Sequence, residues 1–339
     1  MIIYIMAGLI DSYNRSITYL RVSVTDRCNL RCIYCMPPEG IALLGHDQIM
    51  RYEAIQRLVR VAASLGVSHV RLTGGEPLVR PGVVDLVAML APTPGLDELA
   101  MTTNGLLLAR YAERLREAGL NRVNVSLDTL RPDRFAAICR YGHLEDVLDG
   151  IAAAQRAGLT PVKINVVLLP GVNDDEALDF AERSRADGWH VRFIEPMPLG
   201  DDSACAGGGI WQSGYIPSAD VRRRIEAALG PLEPTSLLPA NGPAQTYRLS
   251  GAAGTIGFIS PLSEHFCDGC NRLRLTADGR LRPCLLSDIE LDVRDRLHGG
   301  ASDDDIADML RQAAHMKPEG HSLAAGVTAS SRRMAQIGG

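Results

Sequence analysis

Three cysteines lie within eight residues of this chain, at Cys28, Cys32 and Cys35, and no other feature constrains the fold as strongly. The spacing is too tight for one helix face and suits a loop folded around a compact inorganic group. A 4Fe-4S cluster normally takes four cysteine ligands, so three leave one iron open to a small molecule. A zinc knuckle or chance clustering is the alternative, but zinc sites typically show paired C-x2-C or C-x2-H arms, whereas this loop runs C-x3-C-x2-C.

A second cysteine triplet, Cys267, Cys270 and Cys284, lies towards the other end of the chain. It again supplies three thiolates and no fourth cysteine. The alternative is a zinc site completed by His265 or Asp268. Two three-cysteine sites in one chain favour two clusters, each with a vacant iron.

Six of the eight cysteines fall into these triplets, which favours a reducing compartment over a disulfide framework. The other two, Cys139 and Cys205, have no ligand-like neighbours, and their role stays open. The apolar opening at residues 1–10 has no basic residue before Arg15 and is about half as long as a membrane span. We interpret it as an extra strand or an upstream start, and we predict a cytoplasmic protein that does not bind membranes.

The composition limits the partners that the chain can bind. Its 339 residues suffice for one large α/β barrel with an extension, or for two domains. A hydrophobic fraction of 46% with 22% charged residues is typical of a soluble globular protein. The formal charge of -5 argues against a bulk electrostatic grip on nucleic acid, so any anionic ligand must be held by a local basic cluster.

Strand-like and helix-like periods alternate along the first 230 residues, and this alternation predicts a parallel sheet. Six strands are two short of a complete eight-stranded barrel. We therefore predict an α/β fold, a partial TIM-like (β/α)6 barrel with a small C-terminal extension that carries the second cluster. The predicted strands are 20–25, 67–73, 98–102, 122–126, 162–167 and 189–195, and the predicted helices are 52–65, 83–91, 107–118, 144–157, 175–187 and 219–229.

The pattern changes beyond residue 230. Residues 230–243 are rich in Gly and Pro and mark a probable boundary. Beyond them, a hairpin around Asp278-Gly279 and a last helix from Ala301 predict a small extension, followed by a Ser-, Ala- and Gly-rich tail. The predicted units are a barrel at 13–235, an auxiliary-cluster region at 236–325 and a flexible tail at 326–339.

Arg272 and Arg274 follow Cys270 directly and project on one face of an extended segment. Such a pair is more often a solvated edge. Here it lies beside a predicted metal ligand, and paired guanidinium groups are well suited to clamp a polyphosphate or a carboxylate. The segment therefore predicts an anionic substrate.

Polar residues recur where the predicted barrel strands end, the edge at which parallel barrels gather ligand groups. The turn Thr-Gly-Gly-Glu-Pro at 73–77 follows the second strand, and its glycines allow close backbone approach to a ligand, although Glu76 could equally be a helix-start carboxylate. Arg71 and Lys163 lie within strands and must point inward to contribute. Cations buried inside a barrel need an anionic partner.

Together these motifs resemble the radical S-adenosylmethionine (SAM) superfamily, in which a C-x3-C-x2-C loop is accompanied by a GGEP turn. Across residues 13–339 the resemblance narrows to the family of GTP 3',8-cyclases of molybdenum cofactor biosynthesis. Residues 1–6 and the loop at 207–209 with Cys205 look like additions to the family pattern. The segments that carry the resemblance are TDRCNLRCIYCMP at 25–37, TGGEP at 73–77, FIEPMP at 193–198, FCDGCNRLRLT at 266–276 and the terminal Gly-Gly.

The resemblance implies a radical reaction that needs no catalytic acid–base residue. A 5'-deoxyadenosyl radical would remove the ribose 3' hydrogen of GTP, and the resulting carbon radical would attack guanine C8. The implied ligands of the first cluster are Cys28, Cys32 and Cys35; of the second, Cys267, Cys270 and Cys284; of SAM, Tyr34, Gly75, Ser126 and Met197; and of GTP, Arg21, Arg71, Thr102, Lys163, Arg272, Leu273 and Arg274.

The same resemblance implies two 4Fe-4S clusters and SAM as cofactors and GTP as substrate. It further implies a reducing electron donor protein and a downstream cyclic pyranopterin monophosphate synthase that takes the product, and it is compatible with a homodimer. It also implies that the terminal glycines enter the active site.

Two other classes of protein stay open. A peptide-modifying radical SAM enzyme could use the second cluster as an electron relay, but would be expected to carry more cysteines or a peptide-binding module. A non-enzymatic metal module that binds nucleic acid is disfavoured by the charge and by an aromatic content of 5%. Metal analysis would distinguish the nucleic-acid module, because iron and sulfide without zinc exclude it.

Overall fold

The structure is a computed structural model that describes residues 8–199, 214–238, 242–321 and 332–338. Six strands pair in chain order as parallel neighbours, which confirms the predicted barrel strands. Their apolar residues alternate toward the surrounding helices, and Leu72, Met101 and Val125 are fully buried there. The strands are β1 Tyr19–Ser23, β2 His69–Thr73, β3 Glu98–Thr103, β4 Arg122–Ser126, β5 Lys163–Val167 and β6 His190–Ile194.

Helices follow each of these strands, and six of them agree with prediction to within two residues at either end. The short helix α4 was not predicted, although Pro132 at its first turn is a start signal and Phe135 and Ile138 are buried on one side. The helices are α1 Tyr52–Ser64, α2 Val83–Leu90, α3 Leu108–Glu117, α4 Pro132–Cys139, α5 Leu144–Arg156, α6 Ala177–Ala186 and α7 Ser218–Leu229.

The C-terminal part of the chain adds strands to both sides of the barrel sheet. β9 lies parallel to β6 and β10 lies parallel to β1, so one twelve-stranded sheet runs in the order β12-β11-β10-β1-β2-β3-β4-β5-β6-β9-β8-β7. The predicted hairpin is β10 and β11, whereas β7 lies in a segment that was expected to be loop. These strands are β7 Leu232–Pro234, β8 Gln245–Leu249, β9 Thr255–Ile259, β10 Arg272–Leu275, β11 Arg280–Arg282 and β12 Leu291–Asp292.

Three further helices complete the described chain, α8 Arg294–His298, α9 Asp303–His315 and α10 Met334–Ile337. The predicted last helix is α9, which begins at a capping box between Ser302 and Asp305. Within the described ranges, no helix is long and apolar enough to cross a bilayer. Residues 1–6, Cys205, the loop at 207–209 and Gly339 lie outside the described residues. The division at residue 236 stays a prediction.

Candidate active site

A cavity of about 290 Å³ lies at the C-terminal ends of the barrel strands, close to the lower end of the roughly 300–1,000 Å³ range of small-molecule pockets. Cysteine triplets that are more than 230 positions apart in sequence meet around this one space. Among the described residues every cysteine is a thiol outside any disulfide. The lining cysteines are Cys28, Cys32, Cys35, Cys267, Cys270 and Cys284.

The donor chemistry of each triplet fits a 4Fe-4S cluster with one open iron. Three thiols bordering a cavity match the soft ligands that such clusters take. In the described ranges, no three His, Cys, Asp or Glu side chains are placed to hold a single metal ion. A cubane carries its thiolates on separate irons, so it does not need that convergence.

The first cysteine loop is fixed by the GGEP turn that follows β2. Gly75 N donates to Thr25 O at 2.7 Å, and Glu76 N donates to Arg27 O at 2.8 Å. A Cβ on Gly75 would lie 2.5 Å from Arg27 O, so a larger residue would push the turn off the loop. The glycines therefore allow the turn to pack directly on the cluster-loop backbone, a contact that the sequence did not predict.

The surroundings of the first triplet disfavour a bare thiolate. Burial raises the pKa of Cys28 to about 12, and the charge of Glu76 adds to this effect. The pKa of Cys32 is raised by a hydrogen bond with Cys139 and by burial. Iron would supply the positive charge that stabilises the deprotonated ligands. Cys139 is thus a neighbour of the first triplet.

A tyrosine–aspartate pair borders the same end of the cavity. The Tyr34 hydroxyl donates to Asp128 Oδ2 at 2.6 Å, and Val167 N donates to Asp128 Oδ1 at 2.8 Å. Burial raises the pKa of Asp128 to about 6. The pair holds the tyrosine of the cysteine loop against the end of β4.

The second triplet lies among cations. Burial would raise the pKa of Cys270, but the charges of Arg272 and Lys317 lower it to about 6. Burial raises the pKa of Cys267, whose carbonyl accepts a 2.8 Å hydrogen bond from Arg15 Nη1. A thiolate at Cys270 is therefore favoured even before iron is considered.

All four residues predicted to bind SAM line the cavity together with the first triplet. They come from the cysteine loop, the GGEP turn, the end of β4 and the segment after β6, so four separate elements bring them together. Their role as SAM ligands stays a prediction. These residues are Tyr34, Gly75, Ser126 and Met197.

Most residues predicted to bind GTP also line this cavity. Lys163 instead lines an adjoining cavity of about 160 Å³ toward the N-terminal ends of the strands. Leu273 packs in the hydrophobic core with 1% of its surface exposed and lines neither cavity, so the structure does not bring this predicted residue to the site. The residues that line the main cavity are Arg21, Arg71, Thr102, Arg272 and Arg274, of which Arg21, Arg71 and Arg272 also line the second.

Buried cations surround the junction of the two cavities. Burial lowers the pKa of Lys163 to about 6, and the charges of Arg192, Arg122 and Arg71 lower it further. Arg71 Nε is buried without a hydrogen-bond partner in the described part of the chain. Arg71 and Lys163 thus point inward, as their predicted roles require, and an anionic ligand would relieve the repulsion.

Sequence reasoning missed Arg192, which lines both cavities. Burial lowers its pKa to about 9, and the charges of Arg71 and Arg122 add to this effect. Strand alternation was the available signal, since Arg192 lies between the core residues Val191 and Phe193 of β6 and must face the other side.

The C-terminal segment reaches the same cations. Gly338 O accepts hydrogen bonds from Arg21 Nη2 at 3.2 Å and from Arg274 Nη1 at 3.1 Å. Gly338 has a φ of 71°, and a Cβ there would collide with Thr73 Oγ1. Only glycine fits this position, because a side chain would be both strained and obstructed.

Two buried glutamates join neighbouring strand ends around the rim. Glu76 accepts hydrogen bonds from Thr103 Oγ1 at 2.7 Å and Asn104 N at 2.6 Å, which ties the end of β2 to that of β3. Glu195 accepts one from Leu262 N at 2.9 Å, which ties the end of β6 to that of β9. The interpretation of Glu76 as a structural carboxylate is therefore supported.

Comparisons with known proteins agree with this geometry. Residues 22–183 match the Radical SAM superfamily and residues 189–323 match Molybdenum Cofactor Synthesis C. The crystal structure of Streptococcus suis SuiB bound to S-adenosylmethionine covers 88% of this chain and 69% of that chain, with a TM-score of 0.58 and 15% identity, a likeness of fold alone.

Curated relatives match the chain from end to end. The GTP 3',8-cyclase of Moorella thermoacetica is 52% identical over 97% of this chain and 99% of its own length. That of Heliobacterium modesticaldum is 50% identical over 98% of this chain and 100% of its own length. With both cysteine triplets around one cavity in a radical SAM fold, the chain belongs to the family of GTP 3',8-cyclases.

Proposed function

We propose that this chain converts GTP to (8S)-3',8-cyclo-7,8-dihydroguanosine 5'-triphosphate, an early step of molybdenum cofactor biosynthesis. One observation carries the proposal: two cysteine triplets border a single cavity whose floor is a ring of buried cations. The cavity can therefore hold a redox-activated cosubstrate near one triplet and a nucleoside triphosphate near the other. Full-length similarity to curated GTP 3',8-cyclases supports the choice of GTP.

At the SAM end, the chain provides three thiolates and a closely packed turn. The chemistry available there, with an iron–sulfur cluster and SAM bound, is formation of a 5'-deoxyadenosyl radical for removal of the ribose 3' hydrogen of GTP. Tyr34, Ser126 and Met197 would line the SAM site, and Gly75 would supply backbone groups beside the amino group of SAM. The 2.6 Å bond to Asp128 keeps Tyr34 in place.

At the GTP end, Arg272 and Arg274 grip the triphosphate while Lys163 and Arg71 receive its charge deeper in the barrel. The second triplet would hold the second cluster, whose open iron could bind the guanine end. The protein thereby contributes placement and exclusion of water rather than proton transfer, because a carbon radical must meet its own base before any other group.

The partners follow from the same proposal. A reducing electron donor protein supplies the electron, and a cyclic pyranopterin monophosphate synthase takes the product. We place the enzyme in the cytoplasm, where thiols stay reduced. A homodimer is compatible with this proposal, which does not depend on the oligomeric state.

The test is anaerobic incubation of reconstituted protein with SAM, a reductant and each of the four nucleoside triphosphates in turn. We expect 5'-deoxyadenosine and a cyclised triphosphate with GTP alone. Equal 5'-deoxyadenosine formation with all four nucleotides, or with none present, would overturn the assignment of substrate. Metal analysis should find iron and sulfide; zinc at either triplet would overturn the two-cluster reading.

A further inference from the structure

Lysine is almost absent from this chain. Of its 35 basic Lys and Arg residues only Lys163 and Lys317 are lysine, and both are 3% exposed. Among these basic residues, every solvent-exposed cation is therefore an arginine. The two lysines are buried, and each lines one of the cavities. An ammonium differs from a guanidinium in being compact and in having three donors at one point. Lys163 belongs to the proposed GTP site, whereas the proposed function assigns no role to Lys317.

Lys317 joins the two chain segments that carry two of the second triplet's cysteines. Its Nζ donates to Arg272 O at 2.9 Å and to Pro283 O at 2.8 Å. Arg272 lies two residues after Cys270, and Pro283 directly precedes Cys284. The β10–β11 ladder pairs Arg274 with Arg282 and does not extend to these residues, so the ammonium connects the strands where backbone pairing has ended.

The same ammonium lies beside ligand thiols. Burial lowers the pKa of Lys317, and the ionisable groups that act on it are Cys270, Cys284 and Arg272. Within that set, only the two thiols can carry negative charge. A buried cation among them therefore fits a site whose thiolates are deprotonated, as metal ligands are.

Arg15 supports the remaining ligand in a different way. Its Nη1 donates to Cys267 O at 2.8 Å and to Glu319 O at 2.7 Å, and its Nε pairs with Asp11 Oδ2 at 2.6 Å. The charge of Arg15 is thus balanced by its own carboxylate, and its contacts are to backbone. Lys317, by contrast, has no carboxylate among the described groups that act on it, and the thiols of Cys270 and Cys284 are among them.

We propose that Lys317 is a positioning residue of the second cluster, which ties the Cys270 and Cys284 segments together and hydrogen-bonds the Cys270 sulfur. The proposal rests on the second triplet holding a 4Fe-4S cluster. Hydrogen bonds and positive charge at a ligand sulfur stabilise the reduced form of a cluster, so Lys317 raises its reduction potential and slows its loss.

The test isolates the second cluster in a full-length background with Cys28, Cys32 and Cys35 changed to Ala. Lys317→Met removes all donors at similar length, and Lys317→Gln keeps amide donors but removes the charge. Potential is measured by EPR-monitored redox titration, and cluster loss by the rate at which a chelator bleaches the iron–sulfur absorbance. Lys163→Met is the matched control, since it removes the chain's other lysine, which is equally buried but is not bonded to the second triplet's segments.

We expect both Lys317 variants to shift the midpoint potential to lower values. Loss of an outer ligand partner typically weakens metal affinity by about 10–100-fold, and we expect Lys317→Met to lose iron roughly tenfold faster or more if that loss appears in the off-rate. Lys163→Met should change neither quantity. An unchanged potential in Lys317→Gln overturns the proposal even if Lys317→Met fails to fold. If the background itself binds no iron, the cluster assignment fails instead, which separates that outcome from a failure of the role of Lys317.

Discussion

The two ends of the cavity present the same ligand chemistry in opposite electrostatic surroundings. In the first triplet the charges of Glu76 and Asp128 act on Cys28 and Cys32, Arg31 contacts only the Cys28 carbonyl, and burial raises the pKa of Cys28 to about 12. Around the second triplet the neighbours are Arg272 and Lys317, and the pKa of Cys270 falls to about 6. Three cysteines alone therefore do not define what a site binds.

This difference matches the charges of the two ligands. SAM carries a sulfonium cation, so it is favoured at the end where carboxylates lie, and GTP carries several negative charges, so it is favoured where cations lie. Opposite potentials at the two ends of the cavity also disfavour SAM at the cationic end and GTP at the acidic end, because each ligand would then meet like charge. We therefore expect the cavity wall to favour SAM at the first triplet and GTP at the second.

Removing the first triplet should have the largest effect. Changing Cys28, Cys32 and Cys35 together to Ala should abolish SAM cleavage while about four of about eight irons remain. Iron analysis and 5'-deoxyadenosine formation measure both outcomes. Cys205→Ala, which removes a cysteine that belongs to neither triplet in the sequence, is the control and should keep the full iron content. SAM cleavage in the triple variant would remove the assignment of the first loop.

Deleting Gly338 and Gly339 tests whether the two ends work separately. Gly338 O accepts hydrogen bonds from Arg21 and Arg274. The C-terminal segment should therefore matter after SAM cleavage, when the substrate radical must be steered toward ring closure. We expect intact clusters, SAM binding and some 5'-deoxyadenosine, with loss of cyclised product measured by mass spectrometry. Gly338→Ala should reproduce this loss, because its Cβ has no room. Product at the full-length rate would dismiss a role for the segment.

Weakening the cationic end should affect one ligand only. Arg272→Ala and Arg274→Ala should each cost on the order of 2 kcal/mol of GTP binding, or about thirtyfold in affinity. SAM affinity should stay unchanged, because these residues lie at the other triplet. Calorimetry of both ligands makes the comparison, with Arg280→Ala on the neighbouring strand as control. If GTP affinity is unaltered when Arg272 and Arg274 are both changed to Ala, the two arginines have a structural role instead.

The smallest effect concerns protons taken up with GTP. Lys163, whose pKa is about 6, faces Arg192, Arg122, Arg71 and Glu98 and is mostly neutral at pH 7.5. Triphosphate charge should raise this pKa, so the bound state holds more protons, and GTP affinity should fall by up to about tenfold per pH unit as pH rises above 6. Calorimetry at pH 7.5 in buffers of different ionisation enthalpy should detect proton uptake for GTP that disappears in Lys163→Met. If Lys163→Met takes up the same number of protons on GTP binding, the uptake belongs to another group.

Local patterns predicted the barrel strands and the first cysteine loop, because both are encoded in neighbouring residues. β9 and β10 could be recognised as strands, but not as partners of β6 and β1, since sequence periodicity contains no information on distant pairing. The inward orientation of Arg192 could have been predicted from the alternation of side chains along β6. Lys317 was not, because its two carbonyl partners lie 45 and 34 positions away.

The pairing of β1 with β10 bears on how the chain is made. Thr18 and Asn271, which are hydrogen-bonded beside this pairing, are 253 positions apart. At about 5–20 residues per second of synthesis, the edge of β1 waits on the order of 10–50 s for its partner. An open strand edge is a site of aggregation during that time. The first cysteine loop therefore leaves the ribosome long before the segment that carries the second triplet, and a nascent chain cannot complete the wall of their shared cavity until its C-terminal third has been translated.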